Sequence, residues 1–189
     1  MQKALVRWTF VVLLCLTVTG LAHAQTDEDL QGTLTFTLQP QGDDGLGGHH
    51  FVVRPSDAQE IPPAISDASG IFTLRFNGDL SKARYNLTVF NGTGVTQSHL
   101  HCGKAGVAGP IVVFLFGLVP AGVDVNGSLI SGELTNADIL PQDPPVPACE
   151  VVINNLASLL SAIEEGSVYV NVHTLAHPPG ELRGQIFDQ

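Results

Sequence analysis

The stretch SHLHCGKAGVAGPIVVFLF, residues 98–116, indicates which fold the chain adopts. Side chains alternate between the two faces of a β-strand, so His99 and His101 share one face while Leu100 and Cys102 share the other. A glycine-rich turn follows, and the run IVVFLF after it is apolar on both faces, which is typical of a central strand. The stretch therefore predicts two β-strands with a pair of imidazoles on a polar face.

Short alternating runs separated by turn residues surround this stretch, as expected for antiparallel strands. We expect a turn at Thr93-Gly94 and one helix over residues 155–165, where apolar residues recur at helical spacing. The chain therefore predicts an all-β fold, an antiparallel β-sandwich or partly closed barrel with one short helix. The other predicted strands cover residues 32–38, 49–53, 71–77, 83–90, 128–135, 167–174 and 181–187.

The first 24 residues predict a secretory signal peptide. Lys3 and Arg7 precede an apolar core, and Ala22-His23-Ala24 has the small residues of a cleavage site. The apolar core is too short for a membrane span, so we do not expect a transmembrane protein. Residues 25–189 are predicted to form a single β domain that is secreted or periplasmic after cleavage near Ala24.

The charge of the chain limits its partners. The net charge is −10, and removing Lys3 and Arg7 leaves 6 basic against 18 acidic residues, a net charge of −12. Phosphate recognition needs a basic surface, so we expect no nucleic-acid partner. The balance favours cations or cationic surfaces without choosing among them.

Two cysteines, Cys102 and Cys149, remain after the predicted cleavage. In an oxidising compartment an isolated pair is best interpreted as one disulfide. The alternative is that Cys102 joins His99 and His101 as a metal ligand, but strand alternation directs it to the opposite face. We therefore expect a Cys102–Cys149 disulfide.

Three motifs together resemble one known family. They are HLHCG at residues 99–103, YVNVHT at residues 169–174 and PGELRGQ at residues 179–185. In combination they are similar to the CHRD domain, named after the animal signalling antagonist chordin and found in exported microbial proteins. The resemblance implies a compact β-rich extracellular domain and supplies no catalytic residue.

The polar residues of these motifs suggest a shared site. Two histidines on one strand and a third from another strand give the three-ligand pattern of open zinc or copper sites, so His99, His101 and His173 are the candidate ligands. Outer positions are predicted for Asn171, Glu181 and Arg183, with Glu181 accepting an imidazole N–H and pairing with Arg183. The alternative is a structural ladder in which the histidines only satisfy hydrogen bonds.

The function that we expect is a binding or structural module without catalytic activity, whose ligand is an unknown protein or small molecule. The second hypothesis is a mononuclear copper- or zinc-binding protein. A hydrolase is not indicated, because no G-x-S-x-G motif occurs. A copper-zinc superoxide dismutase is not indicated either, because the further histidines and aspartate of a two-metal site are missing.

Overall fold

The computed structural model describes residues 48–187, which form seven β-strands, one α-helix and two short 3-10 turns. The turns are Asp57–Gln59 and Asn136–Asp138. The helix, α1, is Leu156–Glu164. The strands in chain order are β1 His50–Val53, β2 Ser69–Phe76, β3 Ala83–Cys102, β4 Ile111–Phe116, β5 Val123–Leu134, β6 Val168–Thr174 and β7 Leu182–Ile186.

Strand β3 is shared by both halves of the sheet, because its 20 residues pair with four other strands. Its first half lies between β2 and β5, and its second half lies between β4 and β6, all antiparallel. The predicted turn at Thr93-Gly94 is wrong, because β3 continues through it. Register shifts around Gly92 and a φ of +63° at Gly94 absorb the irregularity as bulges, which bend a strand without ending it.

The two edges of the sheet approach each other beyond β1. Ser56 and Arg183 exchange two backbone hydrogen bonds of 2.9 and 3.0 Å, which joins the chain after β1 to β7. The strand order is β1-β2-β3-β6-β7, so this bridge nearly closes a barrel. The predicted all-β antiparallel fold with one short helix is confirmed, as a nearly closed barrel.

The core forms on the apolar faces of the strands. Phe72, Leu74 and Phe76 alternate along β2 and are fully buried, as period-two patterning requires. Helix α1 begins where the Asn155 side chain accepts from the Ser158 amide, and it buries one side that includes Leu159. Burial of these apolar faces is the main favourable contribution to folding.

A disulfide between Cys102 and Cys149 ties the end of β3 to the segment before α1, with Cα atoms 5.2 Å apart. The predicted signal peptide and the predicted strand of residues 32–38 lie outside the described residues. Within residues 48–187, no helix has the length and apolar character needed to cross a membrane.

Candidate metal centre

The three candidate ligands meet on the polar face of the barrel. His99 and His101 come from the second half of β3, and His173 comes from the neighbouring strand β6. They face away from Leu100 and Cys102, which lie in the core. This arrangement follows from alternation along β3 together with the antiparallel pairing of β3 with β6.

The imidazole rings are close together and buried. Their centroids are 5.5 Å apart for His99 and His101, 5.0 Å for His99 and His173, and 6.0 Å for His101 and His173. Only 1% of His99 is exposed, against 9% of His101 and 7% of His173. One ring nitrogen of each histidine lies within 4.8 Å of the other two.

Hydrogen bonds determine where the protons sit on these rings. Nδ1 of His101 lies 2.9 Å from the Gly109 carbonyl oxygen, and Nδ1 of His173 lies 2.9 Å from that of Pro178. A carbonyl only accepts, so both Nδ1 atoms donate, and in the neutral rings both Nε2 atoms carry a lone pair. Nε2 of His173 lies 3.2 Å from Nδ1 of His99, which must therefore be the donor of that pair. All three histidines thus share one tautomer, protonated at Nδ1.

This tautomer leaves buried lone pairs without partners. Within residues 48–187, Nε2 of His99 and Nε2 of His101 are buried and accept no hydrogen bond. Most buried polar atoms in proteins are paired, so two such nitrogens in one cluster need an explanation. A ligand that accepts lone pairs, such as a metal ion or a proton donor, would satisfy them.

Burial keeps the imidazoles neutral. Removal from water lowers the pKa of His99 to about 3, and the neighbouring His173 and His101 lower it further. Burial also lowers the pKa of His101 to about 4, although its bond to Gly109 opposes this. The pKa of His173 is lowered by burial against the opposing bond to Pro178. Neutral imidazole is the form that coordinates metal.

The spacing of the nitrogens suits a metal ion after a small closure. Two nitrogens bound to one tetrahedral ion at 2.0–2.1 Å lie about 3.3 Å apart, close to the 3.2 Å between His99 Nδ1 and His173 Nε2. The widest pair in the cluster, at up to 4.8 Å, would shorten by up to about 1.5 Å on binding. Coordination through Nδ1 of His99 would move its proton to Nε2, so the ion would use the unpaired lone pair of His101 Nε2 but not that of His99 Nε2.

A stack of three side chains adjoins the cluster. The rings of His101 and Tyr169 are parallel within 8°, with centroids 4.9 Å apart. The guanidinium carbon of Arg183 lies 3.4 Å from the centroid of the Tyr169 ring. Strand β6 lies between β3 and β7, so the phenol separates the imidazole from the guanidinium. The stack therefore places the positive charge of Arg183 one ring away from His101.

The predicted outer residues are close by, with partners that the sequence did not indicate. Asn171 pairs across the sheet with His99 and Arg183, and its Nδ2 donates to Glu60 Oε1 at 2.9 Å. The Glu181 carboxylate accepts from the Ser66 hydroxyl, whereas the N–H groups of His101 and His173 bond to backbone carbonyls. The loops that cover the polar face thus supply two of the acceptors that orient the rings.

A loop accepts the hydrogen bonds of the Arg183 guanidinium. Its Nη2 donates to the carbonyl oxygens of Lys104 and Val107 at 3.0 Å each, and to the Gln185 side chain at 3.3 Å. Glu60, which is also buried, faces Arg183; burial raises the pKa of Glu60, while Arg183 and Asn171 oppose this. The predicted pairing of Arg183 with Glu181 is replaced by this arrangement, because Ser66 holds the Glu181 carboxylate.

Sequence reasoning missed Gly109, Pro178, Glu60 and Phe114 as parts of the site. Phe114 of β4 faces His99 edge-on, with ring centroids 4.9 Å apart. Glu60 is 111 positions from Asn171 in the chain, so no local pattern connects them. The glycine-proline pair at the end of the turn was the one signal that pointed to Gly109.

The structure therefore defines a class: a disulfide-linked, nearly closed antiparallel β domain whose polar face carries a buried three-histidine cluster. A comparison with protein families matches residues 51–186 to the CHRD domain. The chain belongs to the CHRD domain family, as its motifs predict. Searches among curated proteins and among solved structures found no significant match.

Proposed function

We propose that the chain acts as an exported, non-catalytic binding module. Family membership supports a non-catalytic module in general, because the CHRD domain is not known as an enzyme family. The disulfide supports the export part of the proposal, since such bonds persist in oxidising compartments. The signal peptide predicted for residues 1–24 supports the same localisation.

A cavity against the loop that holds His173 supports the binding part of the proposal. It has a volume of about 320 Å³, which is in the range of small-ligand sites. Its walls include Glu60, His177 and Gly180, together with apolar side chains such as Ile61 and Pro179. The loop from His177 to Gly180 also contains Pro178, whose carbonyl orients His173. A small molecule in this cavity would therefore contact the loop that supports the cluster.

A second candidate function, binding of one copper or zinc ion, is favoured by a specific observation. His99, His101 and His173 form a buried cluster in which the Nε2 lone pair of His101 has no partner within the described residues. Three neutral imidazoles supply the protein ligands of an open mononuclear site. Bonds from Nδ1 to carbonyls are the usual support for ligating histidines.

A zinc titration tests this second function. Mature protein without a histidine tag is titrated with Zn(II) against a chromophoric chelator, and His101→Ala is compared with His50→Ala, which removes an exposed imidazole of β1. We expect one equivalent bound by the wild type and by His50→Ala, and at least a hundredfold loss of affinity in His101→Ala. Equal binding by all three proteins, or no binding of either Zn(II) or copper by the wild type, would remove the metal site.

A further inference from the structure

The charge around the cluster restricts which ion it suits. Within residues 48–187, the group of potential ligands contains three histidines and no carboxylate or thiolate. The buried carboxylates nearby have other partners, Glu60 with Asn171 and Glu181 with Ser66. A bound ion would therefore receive no negative charge from its ligands.

The nearest stack adds positive charge. Arg183 lies against one face of Tyr169, and the Tyr169 ring lies parallel to His101. A cation in this position repels a dication more strongly than a monocation, by an amount that grows as the local dielectric falls. Phe114 closes another side of the cluster with an apolar ring.

Burial acts in the same direction. The three ligands are between 1% and 9% exposed, so an ion held by them loses most of its contact with water. The cost of moving an ion into a low-dielectric site rises with the square of its charge, so a divalent ion costs roughly four times as much as a monovalent one. Among the metals that imidazole binds well, copper is the one with a stable monovalent state.

We propose that the three-histidine site holds copper as Cu(I) in preference to Cu(II). The inference rests on the proposed metal site and adds the oxidation state. Three neutral nitrogens complete a trigonal Cu(I) site without a fourth ligand, so no anion has to enter the buried cluster. Oxidation to Cu(II) would place a second charge near Arg183 and Tyr169 with no carboxylate among its ligands to balance it.

The reduction potential of the bound copper tests the proposal, because it reports the ratio of Cu(I) to Cu(II) affinity. Copper-loaded protein is titrated under argon with a redox mediator, and the oxidised fraction is followed by the Cu(II) electron paramagnetic resonance signal. We expect Cu(I) to bind at least 100-fold more tightly than Cu(II). This ratio corresponds to a reduction potential about 118 mV or more above that of the aqueous copper couple.

A matched pair of variants at Phe114 isolates the effect of charge. Phe114 is 54% exposed and faces His99, so both Phe114→Glu and Phe114→Gln are compatible with the fold. The carboxylate should lower the Cu(I) to Cu(II) affinity ratio about tenfold relative to the amide, a shift of about 59 mV to lower potential. The two side chains have nearly the same size, so packing changes cancel.

The outcomes separate this inference from the proposed metal site. Stoichiometric Zn(II) binding with a copper potential at or below the aqueous value would keep the site and overturn the Cu(I) preference. Failure to bind Zn(II) and copper would overturn both. A high wild-type potential together with equal potentials in the two Phe114 variants would overturn the charge argument. If neither variant folds, the wild-type potential alone decides.

Discussion

The carbonyl oxygen of Gly109 accepts a hydrogen bond from Nδ1 of His101 at 2.9 Å, so a loop residue fixes the orientation of a candidate ligand. The amide of Gly109 also donates to the Tyr169 hydroxyl at 3.1 Å, which couples the same residue to the stacked phenol. A side chain at this position would lie 1.7 Å from the carbonyl oxygen of Cys102. The loop can therefore approach β3 only with glycine at residue 109.

Gly109→Ala should displace the loop and turn His101 away from the cluster. We expect a loss of at least about 2 kcal/mol in the free energy of unfolding and a tenfold or greater loss of Zn(II) affinity. Urea denaturation and chelator competition measure the two effects. Gly117→Ala is the matched control, because a side chain there meets nothing within 4 Å. Wild-type values for Gly109→Ala would contradict the proposed role of the loop.

The metal-free protein should lose stability in mild acid. The folded-state pKa is about 3 for His99 and about 4 for His101, below the ordinary value of 6.5, so the unfolded chain binds more protons at intermediate pH. The contribution of the two neutral histidines to the free energy of unfolding is fully present above about pH 6.5. It decreases as the pH falls towards the folded-state pKa values. At pH 4.5 each histidine should cost about 2 to 3 kcal/mol.

Urea denaturation at pH 7.5 and 4.5 measures this dependence. His99→Gln should reduce the difference in the free energy of unfolding between the two pH values by about the contribution of one histidine. His50→Gln, a change at an exposed residue of β1, should leave that difference unaltered. A slope that is the same in the wild type and in His99→Gln would show that other groups cause the acid sensitivity.

Removal of the disulfide should destabilise the barrel. The bridge closes a loop with a sequence separation of 47, for which the chain-entropy estimate is about 4 kcal/mol. We expect a loss of this order in the Cys102→Ala/Cys149→Ala double variant, measured by urea denaturation. Reduction of the wild-type protein with a dithiol should give a similar loss. A decrease of less than about 1 kcal/mol would show that the loop is held by packing alone.

Even the exchange of Arg183 for lysine should destabilise the protein. Arg183→Lys keeps the charge but cannot reach the carbonyls of Lys104 and Val107 with a fork of donors, nor stack flat on Tyr169. We expect a loss of about 2 kcal/mol or more in the free energy of unfolding, measured by urea denaturation. Arg54→Lys, an exposed exchange, is the control and should change stability by less than about 0.5 kcal/mol. Equal stability of the two variants would contradict the role given to the guanidinium.

Local patterns predicted much of this fold because they report which face of an element is buried. The alternation around Leu100 placed His99 and His101 on one side, and the apolar spacing over residues 155–165 predicted α1 within one residue at each end. Both signals arise within a single element, where the geometry of the backbone relates spacing to direction.

Relationships between elements were not predictable in this way. The pairing of β3 with β6 joins residues 66 to 79 positions apart, and the family resemblance, not periodicity, placed His173 near His99. The turn predicted at Thr93-Gly94 failed because bulges let glycines lie inside a long strand. Gly109 and Pro178 accept hydrogen bonds through backbone carbonyls, which every residue carries, so residue type does not reveal this role. Only the close approach of the loop to β3 requires glycine at residue 109.

The separation of His99 and His173 by 74 positions has a consequence for how the molecule is made. Synthesis proceeds from the N-terminus, so β3 emerges from the ribosome before its partner strand β6, which carries His173. No nascent or truncated chain that ends before β6 contains all three imidazoles. An occupied site would thus mark a polypeptide whose translation has run at least through β6.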